Sequence, residues 1–233
     1  MRGNAAMTPF STVDVLALLW FLGAWIGYSF VIERTPRGRT GLNSLMHHYR
    51  GLWMERMLAR DMRMMDGQVI ASLQNGTAFF ASTSLIALGG AVTLFHSSED
   101  MLTVVAAMPF GAPVTHVQWE MKVVGLMIVF VYAFFKFAWS YRLYNYVAIM
   151  VGGAPPAAER DTPEAKAYAE TTATVITDAG RHFNRGQRAF FFALGYLGWF
   201  LGPLPLIATT AGILVVMWRR QFASESRAAV RGA

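Results

Sequence analysis

Two arginine triplets are the clearest chemical signal in the chain. Arg56, Arg60 and Arg63 stand at i, i+4 and i+7, and Arg181, Arg185 and Arg188 repeat that spacing. On a helix each triplet shares one face. Such a face has two readings. It serves topology and solvation, or it binds anionic lipid headgroups or an acidic partner at about 1 kcal/mol per basic residue near a membrane.

Lys136 stands alone in an apolar run. An ammonium at that depth costs roughly 2.5–3.5 kcal/mol on insertion scales, so it is paired or functional unless its stem snorkels toward Arg142. Asp61, Asp66 and Glu33 are its candidate partners. Asp61 falls between Met57, Leu58, Met64 and Met65, and a carboxylate in an apolar sector needs a partner. Asp66, three residues beyond Arg63, is placed to pair with it. Gln68, Ser72, Gln74 and Asn75 make a polar start to the next apolar helix. With Lys136, Asp61 and the break at Gly202-Pro-Leu-Pro205 they would line the path of a small transporter or channel.

Other chemistry finds little support. The chain has no cysteine, which removes disulfides, thiolate metal sites and cysteine nucleophiles. Phosphate-loop, serine-elbow and HExxH patterns are missing. His47 and His48 are adjacent and diverge on a helix, and with His182 and Asp178 they match no zinc spacing. His96 and His116 flank a loop. No catalytic residue, metal or cofactor is expected.

The elements that carry these residues are helical and apolar. Hydrophobic residues make up 55% of the 233 and charged ones only 15%, against about a quarter charged in a soluble domain. Four stretches, 13–32, 76–95, 123–143 and 189–217, reach the roughly 20 residues a bilayer core demands. The expected fold is an all-α polytopic membrane bundle forming one domain over 1–233. It has four transmembrane helices and two cytoplasmic amphipathic helices within 33–75 and 152–188. The first of these is expected as a helix lying at the membrane surface, with Arg56, Arg60 and Arg63 on one face and Met54, Met57, Leu58, Met65 and Val69 on another, leading into the second span. Tyr168, Thr172, Ile176, Ala179 and Phe183 trace an apolar stripe on the other, which starts at Asp161-Thr-Pro-Glu164.

Arginine dominates a net charge of +6. The connecting segments after the first and third spans hold most of it, whereas 96–121 has no lysine or arginine. The positive-inside rule puts the two basic segments in the cytoplasm and both termini outside. Topology thus accounts for the basic balance without nucleic acid. The first span has one preceding arginine and no small-residue cleavage site, so it reads as a retained helix rather than a signal peptide. Arg219, Arg220, Arg227 and Arg231 would then face outward. A fourth helix that re-enters at 202–205 would bring them inside, but its halves of about 12 residues are short for that, and a simple kinked span is preferred.

Gly23 and Gly27 make a GxxxG pair, and Thr83, Ala87 and Ala91 a small-residue face, both suited to oligomer or complex packing. Ala78-Phe-Phe80 and Ala189-Phe-Phe191 follow the two arginine triplets. The echo reflects either internal duplication or a shared topological rule.

Several of these segments together resemble one family. They are Leu52-Trp-Met54, Phe79-Phe-Ala-Ser-Thr83, Val131-Tyr-Ala-Phe-Phe135, Tyr144-Asn145, Phe183-Asn184, Arg188-Ala-Phe-Phe191, Trp199-Phe200 and Arg219-Arg-Gln-Phe222. In that order they are similar to the bacterial and plant membrane family called domain of unknown function 599. The resemblance covers nearly the whole chain. It implies a four-span integral membrane protein, here of a bacterial inner membrane, and carries over no activity, substrate, cofactor or catalytic residue. The leading expectation is therefore a non-catalytic accessory or scaffold protein with a basic cytoplasmic face; the transporter or channel is the alternative.

Overall fold

A computed structural model describes residues 10–97, 99, 101–103 and 114–232, with side chains to 230. Of the acidic connecting segment expected within 96–121, residues 98, 100 and 104–113 lie outside the described residues. Every regular element among the described residues is helical. In order they are α1 (Thr12–Arg34), a one-turn α2 (Pro36–Arg39), α3 (Leu42–Leu58), α4 (Met64–His96) and α5 (His116–Gly152). Then come α6 (Pro163–Tyr196), α7 (Pro203–Phe222) and α8 (Glu225–Gly232).

Helix starts follow local chemistry. Ser11 accepts the Asp14 amide, Thr115 and Gln118 form a capping box, and Thr162 caps α6 with Pro163 in its first turn. These caps satisfy amide donors that have no intrahelical partner.

Helices α1, α4 and α5 are long and apolar enough to cross a membrane. Large apolar side chains such as Leu16, Ile26, Phe79, Ile86, Ile128 and Phe135 point outward from them. An apolar surface of that kind suits lipid rather than water. The helices α4, α5 and α6 have 33, 37 and 34 residues, or about 50–55 Å each. That exceeds a hydrocarbon core of about 30 Å, so the bundle divides into two layers.

The first layer packs Phe21, Val123, Leu126, Phe130, Phe137, Phe192, Tyr196 and Leu206 into one core. The second packs α3 against the outer ends of α4, α5 and α6, through Met54, Met57, Ile70, Val147, Ala169 and Ile176. Ring contacts and hydrogen bonds set the directions. Gln74 meets Asn145 and Trp119 meets Leu94, so α4 and α5 run antiparallel. Lys122 meets Trp199 and Ser140 meets Ala179, so α5 and α6 do the same.

Two sequence expectations fail here. The fourth span over 189–217 is not one kinked helix. After Tyr196 the chain makes a 3-10 turn at Leu197–Phe200 and reverses at Gly202, whose φ of 134° favours glycine. Helix α7 then returns along α6: Thr209 donates to Gly195 O at 2.7 Å and Arg220 to Gln187 Oε1 at 2.9 Å. Gly198 lets the two arms meet, since a Cβ there would lie 2.8 Å from Pro205 O. The hairpin brings α8 beside α3, where Tyr49 donates to Val230 O and Arg227 to Thr40 O. The C-terminal arginines therefore lie at the same end of the bundle as the first and third connecting segments, not at the opposite end.

The arginine- and methionine-rich stretch is also not one helix. It breaks over 59–63, so Arg56, Arg60 and Arg63 share no face. The break pays out in polar contacts: Arg60 reaches Asp66, and Arg63 caps the Ala154 and Pro155 carbonyls just beyond α5. The second triplet stays on one continuous helix, α6.

Candidate anion-binding pocket

The basic residues that do converge lie where α1 ends. Helix α2 folds back tightly enough that Gly38 sits on the Ile32 carbonyl, leaving no room for a Cβ. That turn, the start of α3 and the middle of α6 enclose a pocket of about 490 Å³. Five arginines line it (Arg34, Arg39, Arg181, Arg185 and Arg188), with one carboxylate, Glu33. Asn43, Ser44, His47 and Asn184 complete the wall.

Glu33 is clamped from α6. Arg185 donates from Nε to Oε1 at 3.0 Å and from Nη2 to Oε2 at 2.6 Å. Arg188 donates from Nη2 to Oε1. Arg188 is only 7% exposed, and its Nε is buried with no partner among the described residues. Arg181 pairs with Asp178 at 2.8 Å. Neither Arg34 nor Arg39 has a side-chain partner among the described residues.

His47 Nε2 is likewise buried without a partner. Burial pushes its pKa down to about 4, helped by Arg50 and Arg181, so the ring is neutral near pH 7. The pocket thus presents an excess of fixed positive charge beside neutral polar groups. That combination suits an oxyanion.

The other predicted site residues disperse. Arg56 is exposed at the end of α3, while Arg60 and Arg63 hold the structure together as described. Asp61 is exposed in the break, not inside an apolar sector, and among the described residues it makes no ion pair with Lys136. The buried carboxylate is Asp66, 1% exposed, and its partners are Arg60 and Trp53 rather than Arg63. Lys136 is half-buried over the Tyr132 ring, 5.1 Å from its centroid. Gln74 donates to Asn145 Oδ1 at 2.5 Å, and Asn75 is exposed. Lys136, Asp61, Gln74 and Asn75 do not gather into one site. No group of three or more metal-ligating side chains was found among the described residues.

Residues 16–226 match the family described as "Protein of unknown function, DUF599". The chain belongs to that family. No curated protein and no solved structure matches it.

Two features are not legible in the sequence. Arg34 and Arg39 fall among the charges of the first connecting segment, and nothing local signals that they meet α6. Lys122 reads as a loop residue yet is 3% exposed, donating to Trp199 O at 2.8 Å beside the indole ring. Trp199 Nε1 in turn donates to Asp14 at 2.9 Å. This ammonium ties the hairpin turn to α5, whereas the predicted intramembrane lysine, Lys136, has no side-chain hydrogen bond or ion pair among the described residues.

Proposed function

We propose that this membrane protein works without catalytic chemistry, as an accessory or scaffold protein that holds anionic lipid headgroups in its basic pocket. The observation that carries this reading is the gathering of five arginines around a single carboxylate. Guanidinium groups bind carboxylate and phosphate through paired donors, and basic residues near a membrane surface attract anionic headgroups.

The same reading sets the protein in a bacterial inner membrane with the pocket on the cytoplasmic side. The hairpin supports this orientation, because Arg219, Arg220 and Arg227 join the other arginines at one end and the positive-inside rule is then obeyed throughout. The open faces at Gly23 and Gly27, where an added Cβ would meet nothing within 4 Å, leave room for a second copy or a membrane partner.

The test is reconstitution into nanodiscs of phosphatidylcholine with or without phosphatidylglycerol, followed by identification of the retained lipid. The wild type should enrich the anionic lipid in a salt-sensitive way. Arg34→Gln with Arg39→Gln and Arg181→Gln should abolish the enrichment. Equal retention of both lipids by the wild type would overturn the reading.

A further inference from the structure

The pocket already contains an anion, and its fit is incomplete. Glu33 lies in the last turn of α1, where the helix dipole disfavours a negative charge. Arginines on a different helix hold it there. Two carboxylate oxygens take three donors from Arg185 and Arg188, and the buried Nε of Arg188 is left over. Arg34 and Arg39 extend the positive wall, with no side-chain partners among the described residues.

Resting on the anion-binding reading above, we infer that Glu33 is a built-in substitute for a phosphate group, which takes Arg185 and Arg188 over from it. A phosphate has three strong acceptor oxygens and up to two negative charges. It can therefore engage the Nε donor that the carboxylate leaves unmet, and it offsets more of the surrounding charge. Because Arg185 and Arg188 are three residues apart on α6, they present their donors on one face. Asn43, Ser44 and Asn184 supply neutral partners for the remaining oxygens or for hydroxyls next to the phosphate. The phosphate belongs either to a phospholipid headgroup or to a soluble phosphomonoester. In either case Glu33 competes with it and sets the affinity.

The experiment uses the full chain, stripped of lipid in neutral detergent and placed in nanodiscs for the lipid arm. Glycerol 3-phosphate, inorganic phosphate and succinate are titrated in solution, and phosphatidic acid is compared with phosphatidylcholine in the discs. Glu33→Gln should bind phosphate at least about tenfold tighter, equivalent to about 1.4 kcal/mol. Arg188→Gln should lose binding. Gain for glycerol 3-phosphate assigns a soluble ligand, and gain confined to phosphatidic acid assigns a headgroup; both support the inference.

Removing Glu33 leaves two arginines facing each other, so thermal unfolding is measured alongside. Glu33→Gln should melt lower than wild type without phosphate and gain more from added phosphate than wild type does. Unchanged or weaker phosphate binding by Glu33→Gln, with anionic lipid still enriched by the wild type, would overturn the substitution while leaving the lipid-binding reading intact. An equal gain for succinate would overturn the choice of phosphate. Loss of all anionic preference in the wild type would overturn the underlying reading itself.

Discussion

Trp53 donates from Nε1 to Asp66 Oδ1 at 2.6 Å, pinning the end of α3 to the first turn of α4 across the break between them. The Arg60 guanidinium reaches the same oxygen. The two ions are unequally placed: the Asp66 side chain is 1% exposed and that of Arg60 42%. Removing either should therefore have unequal effects. Arg60→Ala strands a buried carboxylate and should cost about 3–5 kcal/mol. Asp66→Ala releases an arginine that can return to water and leaves the Trp53 N–H unmet, for about 1–3 kcal/mol. Thermal unfolding of both variants in detergent decides this, and the reverse order would show that the Arg60 contact contributes little.

The hairpin makes a topological prediction. Reporter fusions at Asp178 and after Phe222 should give the same side, because α7 returns along α6. Gly198→Val should destabilise by about 1–3 kcal/mol, since its Cβ has no room against Pro205 and Thr209. Opposite reporter signals would restore the single kinked span.

Lys136 should tolerate replacement. It lies over the face of Tyr132, four residues earlier on α5, a contact worth about 0.5–1 kcal/mol at an exposed site. Lys136→Met should accordingly shift the unfolding midpoint only slightly. The double change with Asp61→Asn should be additive, as the two groups share no contact. A coupling energy above about 0.5 kcal/mol would show that they meet.

His47 sets a pH dependence. Its folded pKa, about 4, lies below the ordinary 6.5, so the unfolded chain takes up the proton first as pH falls. The stability linked to a neutral His47 is complete above about pH 6.5 and is lost as the pH falls toward 4. His47→Gln should flatten that part of the stability curve. Arg50 and Arg181 oppose protonation and Asp178 favours it, so a bound anion should raise the His47 pKa. Titration of the ring resonance with and without phosphate measures the shift, and no change would place the anion away from the ring.

Composition, apolar run length and helix caps were enough to establish an all-helical membrane protein, and the ordered motifs from Leu52 to Phe222 pointed to its family. Those signals are local or additive, so they survive without knowledge of neighbours. The spacing of Arg181, Arg185 and Arg188 was legible for the same reason: α6 continues through all three. The identically spaced Arg56, Arg60 and Arg63 lost their common face because Asp66 and the carbonyls beyond α5 offer partners that only the packed bundle brings near. Gly202 to Pro205 announced a break, but whether the chain kinked or turned back depended on Gly198 and Thr209 fitting against the opposite arm. Arg34 and Arg39 likewise became pocket residues only when α2 folded under α1 toward α6. Helical period and hydropathy are written along the chain, whereas the choice of partner for a charge is made by tertiary packing, because that is what sets which groups leave water together.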